Sequence, residues 1–299
     1  MSAATKQSTC ALCGSSEQRL RFRDGPFSVV ACCTCELTYV TPRLVDEQLL
    51  TRIYDELYWS SPVASDRGYT DYAGDEELYL RTFERRVAGL ERHLAPQLTR
   101  PGRVLDIGCA AGYFLRVMQR RGWDVHGIEP SRSIRALAER DLGPERVHAA
   151  LLPDAKLEPG SFDLVTLWDV LEHLPEPVET LRAAASLLRP DGRLLVETQN
   201  VGSPFARLLG RRWQHYKHAE HLWHFNRRTL RDGLKRAGLR PVLMTPRHAG
   251  KYVSAAFVHE RISRFGRAAS TLATPLGWLG ERACYINPRD ELIAIAIRG

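Results

Sequence analysis

The chain of 299 residues is poor in lysine. Only Lys6, Lys156, Lys217, Lys235 and Lys251 occur among its 42 basic residues, so 37 are arginines. No Lys/Arg block with interleaved aromatics stands out, which speaks against an extended nucleic-acid face. The net charge of +7 then reads as scattered, solvated arginine, with a leaning toward an anionic substrate such as a phosphorylated one. No apolar run approaches the roughly 18 residues of a membrane span. Met1–Ser8 is polar and has no signal-peptide core, so a cytoplasmic location is expected. Internal repeats and low-complexity tracts are absent, which excludes solenoids and compositional linkers. The G-x-G-x-x-G dinucleotide fingerprint is absent too. What remains is 44% hydrophobic and 26% charged, the balance of an ordinary folded protein longer than one average domain.

The most informative run present is Val104-Leu-Asp-Ile-Gly-Cys-Ala-Ala-Gly112. A short apolar stretch that ends in a Gly-rich turn reads as a buried parallel strand. Tyr113-Phe-Leu-Arg-Val-Met-Gln-Arg120 continues it as a helix that stops at Gly122. Strand, turn and helix form the first unit of a nucleotide-type α/β sheet. Asp106 lies inside the turn, where a carboxylate would repel phosphate and suit a positively charged ligand. Glu129 closes the next strand-like run, Trp123 to Pro130. An acid there suits a ribose, since a carboxylate accepts two hydroxyl hydrogen bonds.

Four cysteines stand at the front, as Cys10-Ala-Leu-Cys13 and Cys32-Cys-Thr-Cys35, with 18 residues between the pairs. That spacing predicts a four-cysteine zinc ribbon with Cys10, Cys13, Cys32 and Cys35 as ligands. Cys33 reads as a spare, with the alternative that it replaces Cys32 or Cys35. Arg21–Arg23 and Phe27–Val30 read as ribbon strands. A disulfide pair is the rival, but nothing suggests secretion. A closed four-thiolate site has no open position, so it would support folding rather than catalysis.

The remaining chain alternates. Residues 1–45 read as the ribbon and 46–100 as an aromatic-rich connector (Tyr54, Tyr58, Trp59, Tyr69, Tyr72) with a helix over Glu76–Leu94. The connector either closes over a ligand or packs the ribbon on the core. Residues 101–299 read as one α/β domain. Its further strands are expected at Arg146–Ala150, Phe162–Trp168, Gly192–Glu197, Pro241–Thr245 and Glu291–Arg298, and its helices at Ile134–Arg140, Val178–Leu188 and Thr229–Ala237. Arg189-Pro-Asp-Gly192 reads as a turn. Residues 247–285 form an insertion, helical over Tyr252–Phe265, that caps a substrate site or joins two copies as a homodimer.

The turn at Asp106, the acid at Glu129, the loop Trp168-Asp-Val-Leu-Glu-His-Leu-Pro-Glu-Pro177 and the Pro-Asp-Gly192 segment together resemble class I S-adenosylmethionine-dependent methyltransferases. With the ribbon, Tyr39-Val-Thr-Pro42, the His221-Leu-Trp-His-Phe225 segment and Asn287-Pro-Arg-Asp290, the chain is similar to such enzymes of bacterial polysaccharide and natural-product clusters. The resemblance implies a Rossmann-like fold with a mostly parallel seven-stranded sheet. It implies an S-adenosylmethionine site built from Asp106, Gly108, Cys109, Gly112, Glu129, Pro130, Leu151 and Trp168. The family's adenine-binding acid falls at Leu151, a departure for which Asp154 or backbone groups could substitute.

On the acceptor side, Asp169, Glu172 and His173 would share one face of a helical turn and could hold a divalent metal. A similar arrangement in quinone-pathway and small-RNA methyltransferases is associated with metal. The rival reading has His173 hydrogen-bonded within its loop. His173 and His221 are the candidate general bases, since imidazole titrates near neutral pH. His215, His218, His221 and His224 recur every third residue, and on an α-helix they would fan apart rather than cluster. Expected, then, is methyl transfer to a sugar or natural-product intermediate on O, C or N. An RNA methyltransferase that grips its target with the ribbon is the alternative, and a non-catalytic cofactor-binding protein the second.

Overall fold

The computed structural model describes residues 4–60, 69, 71–94, 101–263 and 266–299. Parts of the connector (61–68, 70 and 95–100) and Phe265 at the end of the expected insertion helix lie outside the described residues. Seven strands form the central sheet: β1 Arg103–Ile107, β2 Asp124–Ile128, β3 Val147–His148, β4 Phe162–Trp168, β5 Leu188–Gln199, β6 Leu239–Thr245 and β7 Glu291–Arg298. Their order is β6-β7-β5-β4-β1-β2-β3. β1 to β5 pair in parallel, and β7 inserts antiparallel between β5 and β6. Every residue of β4 is buried, as a strand covered by helices on both faces must be. The α/β, Rossmann-like, mostly parallel fold expected from the sequence is thus the one observed.

The helices that matter for the site are α1 Glu76–Leu94, α2 Tyr113–Arg120, α3 Arg132–Leu142, α4 Pro177–Leu187 and α5 Arg227–Arg236. Asn226 caps α5: its side chain accepts from the Arg228 and Thr229 N–H groups, and the Thr229 hydroxyl accepts in return from the Asn226 N–H. Such a reciprocal cap satisfies donors that the first turn leaves open.

The N-terminal module is an antiparallel sheet ordered Trp223–His224, Thr38–Thr41, Phe27–Cys32, Gln18–Asp24. One of its two edge strands therefore comes from the α/β part of the chain. The module has no core of its own. Cys10, Leu12, Leu37 and Tyr39 belong to the same buried cluster as Leu181, Leu230, Leu234 and Phe225 of the α/β layers.

Two local expectations are corrected. Arg189–Gly192 is an irregularity inside β5, where the register to β4 shifts between Leu188 and Arg193. Tyr252 is not helical: Lys251–Ser254 pairs antiparallel with Ala283–Ile286. The insertion is thus a two-stranded stem carrying helices Ala255–Ser263 and Arg267–Trp278. Arg81 and Arg85 of α1 hold the stem by stacking on Tyr252 and Tyr285, at 4.3 and 4.0 Å from the ring centres. Among the described residues no helix is long and apolar enough to cross a membrane.

Candidate active site

β1 ends in the turn Gly108–Gly112. Gly108 has φ +74°, and a Cβ there would lie 2.7 Å from Val170 Cγ2. Both the left-handed backbone and the contact demand glycine. Gly108→Ala should therefore destabilise the fold by about 3 kcal/mol, from backbone strain and overpacking together. Urea unfolding measures this, and adding Val170→Ala should recover part of the loss.

The Gly108 and Cys109 N–H groups donate to the Ile128 carbonyl, at 2.8 and 3.0 Å. This folds the turn onto β2. The Glu129 carboxylate accepts from the Ala110 N–H (3.1 Å) and the Ser131 N–H (2.8 Å). Burial still pushes it up to about 7, against the pull of those two donors. Asp106 accepts from the Thr166 hydroxyl at 2.6 Å. Burial, with Glu129 adding repulsion, raises it to about 8. At neutral pH Asp106 is thus mostly protonated and Glu129 about half protonated, the Arg135 guanidinium offsetting part of the burial at Glu129.

The structure brings Asp106, Gly108, Cys109, Gly112, Glu129 and Pro130 together around this turn. The Cys109 thiol faces Gly127, where a Cβ would come within 2.5 Å of Sγ. The Pro130 carbonyl accepts from Arg135 at 3.1 Å. Leu151 is half-buried and turns the chain after β3, its carbonyl accepting from Asp154 and Ala155. Asp154 itself is exposed. Trp168 ends β4 against Phe83 and Phe114, with centroids 5.3 Å away in each case, and its indole N–H has no partner among the described residues.

Connector aromatics run from this turn to the acceptor side. The Trp59 indole donates to the Ser131 hydroxyl at 3.0 Å, and Tyr69 stacks on Trp59 at 5.8 Å. The neighbouring Tyr58 ring meets His173 edge-on at 6.5 Å.

The acceptor side departs from a helical-face geometry. Asp169 has φ +53° and Leu171–His173 is a single 3₁₀ turn, so residues 169, 172 and 173 do not share a helix face. The potential ligand atoms within 4.8 Å of one another belong to Glu172, His173 and His221. His221 takes the place expected for Asp169. Segment 213–222 is a run of turns without an α-helix, which frees the third-residue histidines from the fan a helix would impose. His221 then reaches His173, with ring centres 4.6 Å apart.

Each ring is oriented by acceptors. His173 Nδ1 lies 3.1 Å from the Glu220 carbonyl. His221 Nδ1 lies 2.8 Å from the His215 carbonyl and 3.1 Å from Gln199 Oε1. A carbonyl only accepts, so both Nδ1 atoms are assigned the proton and both Nε2 atoms keep a lone pair. Burial, reinforced by Lys217, lowers His173 to about 4. Burial, with His173 and Lys217 beside it, holds His221 well below its usual value. Burial and neighbouring Asp169 raise Glu172 to about 8, and its carboxylate accepts from the Thr198 hydroxyl at 2.8 Å.

Beside them lies a largely buried ionic network of residues far apart in the chain. Arg86 pairs with Glu197 at 2.6 Å and Glu291 at 3.5 Å, and Lys251 pairs with Glu291 at 2.6 Å. Together with Asp169 and Glu172, this places more carboxylates than cations near the acceptor side, so the chain's surplus arginine does not gather there.

The four front cysteines converge as the spacing predicts. Cys10 and Cys35 sulfurs are 3.3 Å apart, Cys13 and Cys32 sulfurs 3.4 Å, and all four lie within 4.8 Å of one another. Tetrahedral zinc with sulfur at about 2.3 Å needs edges of about 3.8 Å, so the donor set fits that ion. Cys33 is exposed and outside the group.

A family model described as a methyltransferase domain matches residues 79–243, more than half of the chain. The chain belongs to the methyltransferase domain family. The ubiquinone biosynthesis O-methyltransferase of Xanthomonas campestris is 36% identical over 154 residues, which cover 42% of this chain and 59% of that protein. Its Neisseria meningitidis counterpart is 39% identical over 112 residues, covering 33% of this chain and 44% of that protein. The chain thus spans about half the length of these relatives. A S-adenosylmethionine-dependent methyltransferase of Thermotoga maritima superposes with a TM-score of 0.51 at 14% identity, over 84% of this chain and 99% of that one. At that identity the likeness shows the class I fold alone.

Functional residues with no local sequence signature are Gln199, Thr198, Glu220 and the Arg86–Glu197–Glu291–Lys251 network, whose last two members lie beyond the matched domain. Each acts through a partner far away in sequence. The only local signal was the histidine repeat at positions 215–224.

Proposed function

We propose that the protein transfers the methyl group of S-adenosylmethionine to a hydroxyl of a small-molecule acceptor. The observation that carries this reading is the juxtaposition of two ends of one site: the glycine turn with its paired carboxylates, and the Glu172–His173–His221 group beyond β4 and β5. In this reading Asp106, Gly108, Cys109, Gly112, Glu129, Pro130, Leu151 and Trp168 surround the methyl donor. Glu129 would accept from the ribose hydroxyls, and the Asp106–Glu129 pair would favour the cationic sulfonium ligand electrostatically. Methyl transfer is an in-line displacement, so the protein's task is to align donor and acceptor and exclude water. The Tyr58–Trp59–Tyr69 cluster is placed to do the latter.

His173 and His221 face the acceptor as neutral imidazoles with free Nε2 lone pairs. Either can take the acceptor's proton. Two lone pairs and a carboxylate at such close range also suit a divalent cation, and two histidines with one carboxylate are a known donor set for one. Glu172, His173 and His221 would hold it, and a bound cation would acidify a hydroxyl on it. The likeness to ubiquinone biosynthesis O-methyltransferases supports an O-acceptor. The cysteine group is proposed to hold a structural zinc ion.

A pH effect tests the donor end. Glu129 and Asp106 sit at about 7 and about 8 without ligand, and a cationic ligand prefers them ionised. S-adenosylmethionine affinity should therefore rise from pH 6 through pH 8 and level off only above about pH 9. Calorimetry at pH 7 in buffers of different ionisation enthalpy should show proton release on binding. The proposal fails if affinity is flat across that range and no proton is released.

A further inference from the structure

We infer that the cysteine module positions the acceptor side of the site, and that loading of its four thiols sets the placement of Glu172 and His221 while leaving the methyl-donor turn alone. The link is a short chain of backbone contacts. The Val40 N–H, in the strand that follows the second cysteine pair, donates to the Leu222 carbonyl at 3.0 Å. The Leu222 N–H donates to the Glu172 carbonyl at 2.8 Å. The next residue, Trp223, pairs with Tyr39, and its indole N–H donates to the Leu174 carbonyl at 2.7 Å. The segment beginning at His221 is therefore clamped between the module's Tyr39–Val40 and the turn that carries Glu172 and His173.

The clamp depends on the thiols because the module has no core of its own: it leans on the α/β layers on one side and is tied together within itself at the cysteine group. Tyr39, which is fully buried, packs in the same cluster as Cys10, Cys32 and Cys35. Leu12, between Cys10 and Cys13, packs on Gly233 of α5, where a Cβ would come within 3.3 Å of it. Below about 40 residues a chain segment seldom holds shape without a metal, a disulfide or a partner surface. Here no disulfide occurs among the cysteines. Loosening the cysteine group should release the Thr38–Thr41 strand first, then Leu222–His224, then the Leu171–Leu174 turn. The donor turn is braced by β2 and Glu129 instead, and it meets the clamped segment through the side-chain contact of Val170 with Gly108 rather than through this chain of bonds. Trp223 and Leu222 are thus positioning residues, acting through Glu172, His173 and His221.

This inference rests on the proposed zinc site, so metal content is measured first, by emission spectroscopy on the full chain. Hydrogen exchange is then followed in the zinc-loaded protein, in Cys13→Ala, and in Trp223→Phe, which keeps an aromatic ring and the thiols but loses the indole N–H that reaches Leu174. S-adenosylhomocysteine affinity is measured alongside by calorimetry. Expected is one zinc per chain. In Cys13→Ala, exchange at 38–41, 171–174 and 222–224 should speed up at least tenfold, with less than threefold change at 108–112. S-adenosylhomocysteine affinity should stay within threefold. Trp223→Phe should retain zinc and show the same tenfold opening at 171–174. The inference is overturned if 171–174 stays protected in both variants. It is equally overturned if the donor turn opens as much as the acceptor turn, or if wild-type protein holds no zinc and is protected regardless. Loss of S-adenosylhomocysteine binding in the wild type would instead count against the proposed function.

Discussion

Glu129→Ala is expected to weaken S-adenosylmethionine binding at least a hundredfold, and Asp106→Ala at least tenfold, by calorimetry. Glu129 has two tasks. Its carboxylate holds the Ala110 and Ser131 N–H groups and, with ligand present, would accept from the ribose. A hydrogen bond to a charged group contributes roughly 1.5–3 kcal/mol, and a factor of ten corresponds to about 1.4 kcal/mol. Losing two such bonds and the turn's brace therefore exceeds a hundredfold. Asp106 is tied to Thr166 alone and would act on the ligand mainly through charge, hence the smaller effect. Glu129→Gln should fall between, because an amide oxygen keeps one brace but loses the charge. Unchanged affinity in both alanine variants would mean that the ligand does not sit on this turn.

His221→Ala should lower methyl transfer about a hundred- to ten-thousandfold, the range for a lost proton-transfer group, and leave S-adenosylmethionine affinity within threefold. The separation is expected because His221 is held by Gln199 and the His215 carbonyl, with no contact to the glycine turn. His173→Ala should behave alike, and Glu172→Gln should show whether a cation is used. If one is held by Glu172, His173 and His221, chelation that spares the cysteine zinc removes activity and added divalent ions restore it. Full activity after such chelation would leave the two imidazoles as bases alone. Equal loss of cofactor affinity in His221→Ala would contradict the division of the site into two ends.

The donor end was legible because it is local. A buried apolar run into Asp106, a turn needing glycine at 108, and an acid one strand later at Glu129 all lie within about 25 residues, with hydrogen bonds closing among neighbours. The parallel sheet was legible for the same reason, since β4 is apolar throughout. The acceptor end was only half legible. A helical face through Asp169, Glu172 and His173 ignored that Asp169 takes positive φ and that the next turn is 3₁₀. The arrival of His221 depends on Trp223–His224 pairing with Thr38–Thr41, a contact across more than 180 residues that no local pattern encodes. The stem of the insertion escaped because Lys251–Ser254 and Ala283–Ile286 find each other across two helices, and Tyr252 alone carries no strand signal.

The most direct test of the central claim follows the methyl group itself. The purified protein is incubated with S-adenosylmethionine bearing a labelled methyl group and with hydroxylated aromatics, sugar nucleotides and amines in turn. Products are read by mass spectrometry beside His221→Ala. The account predicts S-adenosylhomocysteine in amounts equal to labelled methyl on an oxygen of at least one hydroxylated acceptor, with the variant nearly silent. Tight S-adenosylmethionine binding without turnover on any acceptor, or label found on RNA or nitrogen instead, would contradict it.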